Sequence, residues 1–226
     1  MNKLIAGAVA EKRNLLEPEA LELFAAYGVA VPRHVFCDCI EGAVAAGEEI
    51  GYPVAAKIVS RDIVHKSEAG GVSLNLNSAE EVAAACLKML ESAEEAAAGA
   101  RISGFLVSEM LRPGLECIAG MVRDVSFGPA LMCGLGGVFV EVLRDVSFRV
   151  PPISKEDAIA MIYELKGAPL LKGARGGAAK DAGALAELLL RLGDIALENP
   201  EIQEMEINPC FVYENGLAIA DARVML

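Results

Sequence analysis

The sequence predicts an α+β protein of two lobes. Before residue 104, amphipathic helices that end in glycines alternate with short apolar strands. After it, strands joined by Pro/Gly-rich turns predominate, followed by two helices and a closing hairpin. The segment Gly99–Gly104 separates the two regions, so the expected lobes are 1–103 and 104–226, with a cleft between them. A chain of 226 residues is long enough for this arrangement.

Met1 to Ala10 resembles a very short signal peptide, but its apolar run is minimal, its single lysine makes a thin basic region, and the helix that follows reads as part of the fold. Glu17-Pro18-Glu19 opens a helix, because Pro suits the first turn and acids suit the positive end of the helix dipole. Gly28 ends that helix, and Val29 to Phe36 reads as a strand broken by Pro32. Ile40 to Ile50 is a second helix, closed by Gly51. Val54 to Val59 is a short buried strand carrying Lys57, and a polar loop follows from Ser60 to Gly71. Val72 to Leu76 alternates as a strand, and Ser78 to Ala98 is a long helix whose Ser78-Ala-Glu-Glu81 start matches a capping box.

In the second lobe, Phe105 to Leu111, Glu116 to Arg123, Pro129 to Cys133 and Phe139 to Val150 read as strands. Ser154 to Leu165 and Asp181 to Leu197 read as helices, separated by a flexible basic segment from Lys172 to Lys180. Ile202 to Val212 and Leu217 to Ala220 finish the sheet around a turn at Glu214-Asn-Gly216.

The net charge of −12 disfavours a nucleic-acid partner, which calls for a basic field. No apolar stretch is long and uninterrupted enough to span a bilayer, and the protein is expected in the cytosol. None of the six cysteines forms a CxxC pair, and most stand in apolar runs, the pattern of buried free thiols in a reducing compartment.

Several residues stand out chemically. Lys57 is a charge in a buried-strand pattern: it either reaches polyphosphate oxygens from the strand edge or snorkels to the surface. His65 stands in the polar loop Asp62-Ile-Val-His65-Lys-Ser-Glu-Ala-Gly-Gly71. An imidazole is largely neutral at cytosolic pH and can accept and release a phosphoryl group; the alternative is a surface histidine. His34 has no such surroundings and reads as structural.

Glu206 and Asn208 are two residues apart and project on one strand face, and a hairpin brings Asp221 beside them. Such hard oxygen donors suit Mg²⁺; a polar strand face with turn residues would look the same. Glu109 and Glu116 flank the turn Arg112-Pro-Gly114, either as a nucleotide-holding hinge or as two solvated glutamates. Gly134-Leu-Gly-Gly137 is either a close approach to phosphate or a tight turn. It lacks the Lys-Ser/Thr of a P-loop and the context of a dinucleotide site.

Taken in order, these segments resemble the ATP-grasp subunit of ADP-forming acetyl-CoA synthetases. The likeness rests on Lys57-Ile-Val-Ser-Arg-Asp-Ile-Val-His65-Lys-Ser-Glu-Ala-Gly-Gly71, on Leu15-Leu-Glu-Pro-Glu-Ala20, and on the run Gly134 to Asp145. Gly173-Ala-Arg-Gly176 and Glu206-Ile-Asn-Pro209 match as well, the last being shared with succinyl-CoA synthetase β chains.

The resemblance implies an ATP-grasp fold whose two α+β lobes enclose a nucleotide cleft. It implies that Lys57 contacts the nucleotide phosphates, Glu109 and Met110 the adenine edge, and Glu116 the ribose. Asn208 and Asp221, with Glu206 close by, would hold Mg²⁺, and His65 would be the second phosphohistidine of a relay to ADP. The implied reaction is acid + CoA + ATP ⇌ acyl-CoA + ADP + phosphate. A CoA-binding α subunit would complete it, in an α2β2 hetero-oligomer, because no segment here reads as the CoA-binding Rossmann domain. A succinate-specific ligase, or a nucleotide-sensing module such as the ATP-grasp domain fused to some protein acetyltransferases, is the competing assignment. No firm role is implied for Arg175 or Asp145.

Overall fold

The computed structural model describes residues 2–63, 66–137 and 143–226, without the side chain of Arg175. The chain forms two compact units, Pro32–Arg112 and a discontinuous unit of Met1–Val31 with Pro113–Leu226. This divides the chain differently from the expected 1–103 and 104–226. The physical reason is strand pairing: the strand on either side of residue 104 is completed within the first sheet, and the N-terminal helices join the second unit.

The Pro32–Arg112 unit contains β1 (His34–Cys37), α1 (Ile40–Ile50), β2 (Val54–Ser60), β3 (Val72–Leu76), α2 (Ala79–Ala96) and β4 (Ile102–Glu109). Its four strands form an antiparallel sheet in the order β1-β4-β2-β3. The two helices bury Ala43, Ala46, Ile50, Val82, Cys86 and Met89 with Ile58, Phe105 and Val107 of the sheet. Apolar spacing of three and four residues gives each helix that face. Of the expected strand Val29–Phe36 only His34–Phe36 lies in β1, which runs on to Cys37; Pro32, before it, has no N–H to give a ladder. Ser78 caps α2 by accepting from Glu81 N, but the Glu81 carboxylate accepts from Asn77 N, one residue beyond the Ser78 N–H that a capping box would use.

The discontinuous unit contains α3 (Lys3–Ala10), α4 (Glu17–Ala26), β5 (Leu115–Asp124), β6 (Gly128–Leu135), β7 (Val146–Arg149), α5 (Lys155–Tyr163), α6 (Ala168–Leu171), α7 (Ala182–Glu198), β8 (Glu204–Val212), β9 (Leu217–Ile219) and β10 (Ala222–Met225). Its antiparallel sheet runs β10-β8-β5-β6-β7, with β9 continuing the β10 edge of β8. Helix α7 buries Leu185, Leu189, Leu192 and Ile195, and the sheet buries Met121, Leu131, Cys133, Met205 and Ile207. One sheet face is thereby covered; the other carries Glu204, Glu206 and Arg223 beside apolar residues such as Met132 and Phe148. The N-terminal segment is bound to the last strand through Leu15 N–H to Val224 O at 3.2 Å.

Part of the expected strand Phe139–Val150 lies outside the described residues; Val146–Arg149 is its paired portion. The basic segment from Lys172 to Lys180 follows α6 and contains a 3₁₀ turn at Ala174–Gly176. Among the described residues, no helix is long and apolar enough to cross a membrane.

Candidate functional site

Strand β8 carries a break in its own pattern. Met205 and Ile207 are buried, and then Cys210 and Val212, so the inward parity shifts by one residue between 207 and 210. The pairing shows the same shift: Cys117 faces Cys210 but Ala119 faces Ile207. Asn208 and Pro209 are therefore a bulge opposite Ile118, where Pro209 has no N–H to donate. On the other edge the bulge is closed by Asn208 N–H to Asp221 O at 3.3 Å and Ala220 N–H to Pro209 O at 2.9 Å. The hairpin thus brings Asp221 to Asn208, as the sequence predicts. Bulges commonly re-aim side chains in this way.

Glu206 and Asn208 do share a face. Asn208 Nδ2 donates to Glu206 Oε1 at 3.1 Å, with Asn208 exposed and Glu206 half-buried. The second oxygen of Glu206 is also engaged: Arg223 Nη2 donates to Oε2 at 2.5 Å. The same guanidinium nitrogen bonds Glu204, and Arg223 is the cross-strand partner of Glu206. Arg223 was not singled out in the sequence, because its partners stand on the neighbouring strand and no local pattern marks it.

These residues fit a magnesium ion by the chemistry of their donors. Asn208 spends its amide N–H on Glu206, which turns its Oδ1 outward, and Asp221 supplies a carboxylate one strand away. Mg²⁺ takes a few such oxygens and completes its octahedron with water and phosphate oxygens. Among the described residues, no cluster of three or more His, Cys, Asp or Glu groups could hold a metal, so a site here depends on the amide oxygen.

Glu116 opens β5 and is exposed. The glycine turn after β6 lies directly on it: Gly136 N–H donates to Glu116 O at 2.8 Å, and a Cβ at Gly136 would come within 2.9 Å of Glu116 Cβ. A tight approach, not free loop geometry, requires glycine there. Residues 138–142, which continue this motif, lie outside the described residues. Beyond them Asp145, buried, accepts the Lys166 and Gly167 N–H groups at 2.8 Å each, a loop-fixing role the sequence left unassigned.

In the Pro32–Arg112 unit, Lys57 is 7% exposed on β2, between partners Leu106 and Val72, so it does not snorkel to the surface. Glu109 accepts from Arg33 N–H at 2.8 Å and pairs with its guanidinium at 3.4 Å. Met110 N–H donates to Pro53 O at 3.2 Å. His34 Nδ1 lies 2.8 Å from Pro32 O, in keeping with a structural role.

His65 lies outside the described residues. Both flanks of it are anchored. Ser60 Oγ accepts from Asp62 and Ile63 N–H at 3.0 and 3.1 Å. Gly71 N–H donates to Lys66 O at 2.7 Å, and Ile58 N–H to Gly71 O at 2.9 Å. Gly70 and Gly71 are closely packed: a Cβ on Gly71 would lie 2.5 Å from the Ile58 side chain, and one on Gly70 2.8 Å from Ser92.

All six cysteines are free, and five are buried, with Cys39 exposed at the start of α1. Burial pushes the Cys86 thiol up to about 11 and Cys117 to about 12, which keeps both protonated and unreactive.

A family model of the ATP-grasp domain matches residues 7–226. The beta subunit of ADP-forming acetate–CoA ligase I from Pyrococcus furiosus is 48% identical over 224 residues, covering 99% of this chain and 97% of that one. ADP-forming acetate–CoA ligase I from Archaeoglobus fulgidus is 44% identical over 92% of this chain, which spans 30% of that protein's length. Among solved structures, acetyl-coenzyme A synthetase 1 of Ca. Korarchaeum cryptofilum, in complex with coenzyme A, Ca-AMPCP and HgCl+, is 46% identical. It superposes with a TM-score of 0.96, covering 99% of this chain and 98% of that one. A second structure of that synthetase, with coenzyme A and Mg-AMPPCP, has its phosphohistidine segment pointing towards the nucleotide binding site. It matches with a TM-score of 0.85 at 44% identity, covering 99% of this chain and 98% of that one.

Proposed function

The chain belongs to the ATP-grasp family, among the beta subunits of ADP-forming acetyl-CoA synthetases, and on that premise we propose that it moves a phosphoryl group between His65 and ADP. The overall reaction is acyl-CoA + ADP + phosphate ⇌ acid + CoA + ATP. The observation that carries the reading is the β8 bulge, which brings Asn208 and Asp221 together beside Glu206.

In the ATP-forming direction, an oxygen of the ADP β-phosphate attacks the phosphorus on His65. The P–N bond breaks, its electrons return to the imidazole, and ATP is formed. Lys57 meets phosphate oxygens with its ammonium, and Glu116 receives the ribose hydroxyls. Adenine is read along Glu109 and Met110. Because Met110 N–H already donates to Pro53 O, the adenine edge either displaces that carbonyl or is read through backbone oxygens. Asn208 Oδ1 and Asp221 would hold Mg²⁺, which offsets phosphate charge when bound.

The partner is a CoA-binding α subunit that makes the acyl phosphate. The subunit naming of the Pyrococcus relative supports this, as does the longer Archaeoglobus protein, which matches this chain over less than a third of its length. An α2β2 assembly acting in the cytosol completes the proposal. Brief exposure to Mg·ATP followed by mass spectrometry tests it: acid-labile, base-stable phosphate is expected on His65. Phosphate found elsewhere, or none under conditions where nucleotide binds, would overturn the reading.

A further inference from the structure

We infer that Arg223 is a positioning residue for the metal ligand Asn208, acting through Glu206; the inference rests on the magnesium reading proposed above. Three observations carry it. Glu206 uses one carboxylate oxygen for Arg223, at 2.5 Å, and the other for the Asn208 amide, at 3.1 Å. Both oxygens of the residue expected to be a ligand are thus occupied by protein donors. The guanidinium also holds Glu204, so it is fixed between two carboxylates of the same strand face. Finally, among the described residues, Arg223 Nε is buried without a hydrogen-bond partner. A buried N–H left unpaired is costly, so this arginine is not placed for stability alone.

The consequence is geometric. An asparagine amide has two ends, and only its oxygen can bind a cation. Glu206, clamped by Arg223, accepts from the amide nitrogen and so selects the rotamer that turns Oδ1 away from it. Arg223 also offsets part of the charge of Glu206 and holds that carboxylate away from the metal's ligand set. Open positions are then left for phosphate oxygens and water, which magnesium requires. Groups behind the direct ligands tune metal affinity in this manner.

The test compares ADP affinity with and without Mg²⁺ by calorimetry, in wild type, Arg223→Gln, Arg223→Lys and Asn208→Ala. Arg223→Gln is expected to lose roughly tenfold of the magnesium-dependent gain in affinity, while magnesium-free ADP binding stays as in wild type. Arg223→Lys keeps the charge without the planar fork and is expected to fall between, at about threefold. In the metal-free protein, the Asn208 side-chain amide resonances, assigned by their loss in Asn208→Asp, are expected to move in Arg223→Gln.

A wild-type magnesium gain in Arg223→Gln overturns the inference. So does an equal loss of affinity with and without Mg²⁺, or an unmoved Asn208 amide. If Arg223→Gln does not fold, Arg223→Lys carries the test, and a wild-type gain there overturns it. Asn208→Ala separates the two readings. A preserved magnesium gain in that variant removes the metal site itself and this inference with it. A lost gain there beside a wild-type gain in the Arg223 variants removes this inference alone.

Discussion

The carboxylate of Asp181 accepts the Gly216 N–H at 2.8 Å through one oxygen and the Ala184 N–H at 2.9 Å through the other. One side chain thus caps helix α7 and holds the β8–β9 turn against it, while Asp181 N–H bonds Tyr213 O at 2.7 Å. The Gly216 and Ala184 N–H groups hold the Asp181 carboxyl below the ordinary aspartate range. A depressed folded-state value adds stability above the unfolded value of about 3.9, and the contribution is lost as pH falls through the folded value. Asp181→Ala is expected to cost about 1–3 kcal/mol at neutral pH. Chemical denaturation should show the gap between variant and wild type narrowing below about pH 4.

Gly104 stands on β4 with φ +148°, and a Cβ built there would lie 2.1 Å from the Cys37 carbonyl oxygen. Backbone cannot yield as a side-chain tip can. Gly104→Ala is expected to destabilise the chain by roughly 3 kcal/mol or more, read as a lowered melting temperature. Gly99→Ala, with positive φ but no atom within 4 Å, should cost less and serves as the comparison.

Asp221→Ala should leave the fold intact and weaken Mg·ADP binding by at least about tenfold, measured by calorimetry. Its Oδ1 accepts from the adjacent Ala222 N–H at 3.1 Å. Unchanged magnesium-dependent affinity in both Asp221→Ala and Asn208→Ala would remove them from the site.

His65→Ala and His65→Asn should each abolish ATP formation by the complete ligase. Nucleotide binding and the partner's acyl phosphate step should survive. Near-normal turnover in both variants would leave His65 as an ordinary loop residue.

The isolated chain should bind adenine nucleotide yet form no acyl-CoA, and activity should appear when a CoA-binding α subunit is added. Full turnover by the pure chain would remove the need for a partner.

Local chemistry was legible in the sequence where a period or a cap defines it. The two-residue spacing of Glu206 and Asn208 did place them together, and Ser78 does cap its helix. Arg223 was missed because its importance lies in a cross-strand partner, and register is not written in a single strand. The bulge at Asn208–Pro209 appears only once both neighbouring strands are in place. The unit boundaries were missed for a related reason: the bond from Leu15 to Val224 is long-range, and no local pattern announces it.

That same bond sets an order of assembly during synthesis. The 32–112 unit is contiguous, so every strand it needs has been synthesised once β4 is made. The other unit begins first and finishes last. Its opening helices hold buried apolar faces, including Ile5, Leu21, Leu23 and Phe24, that must wait for β10 before their sheet is complete. Closing so long a loop is slow. A nascent chain stalled just short of residue 222 would therefore carry one finished unit and one with its N-terminal segment exposed, the stage at which chaperone contact and proteolysis are most to be expected.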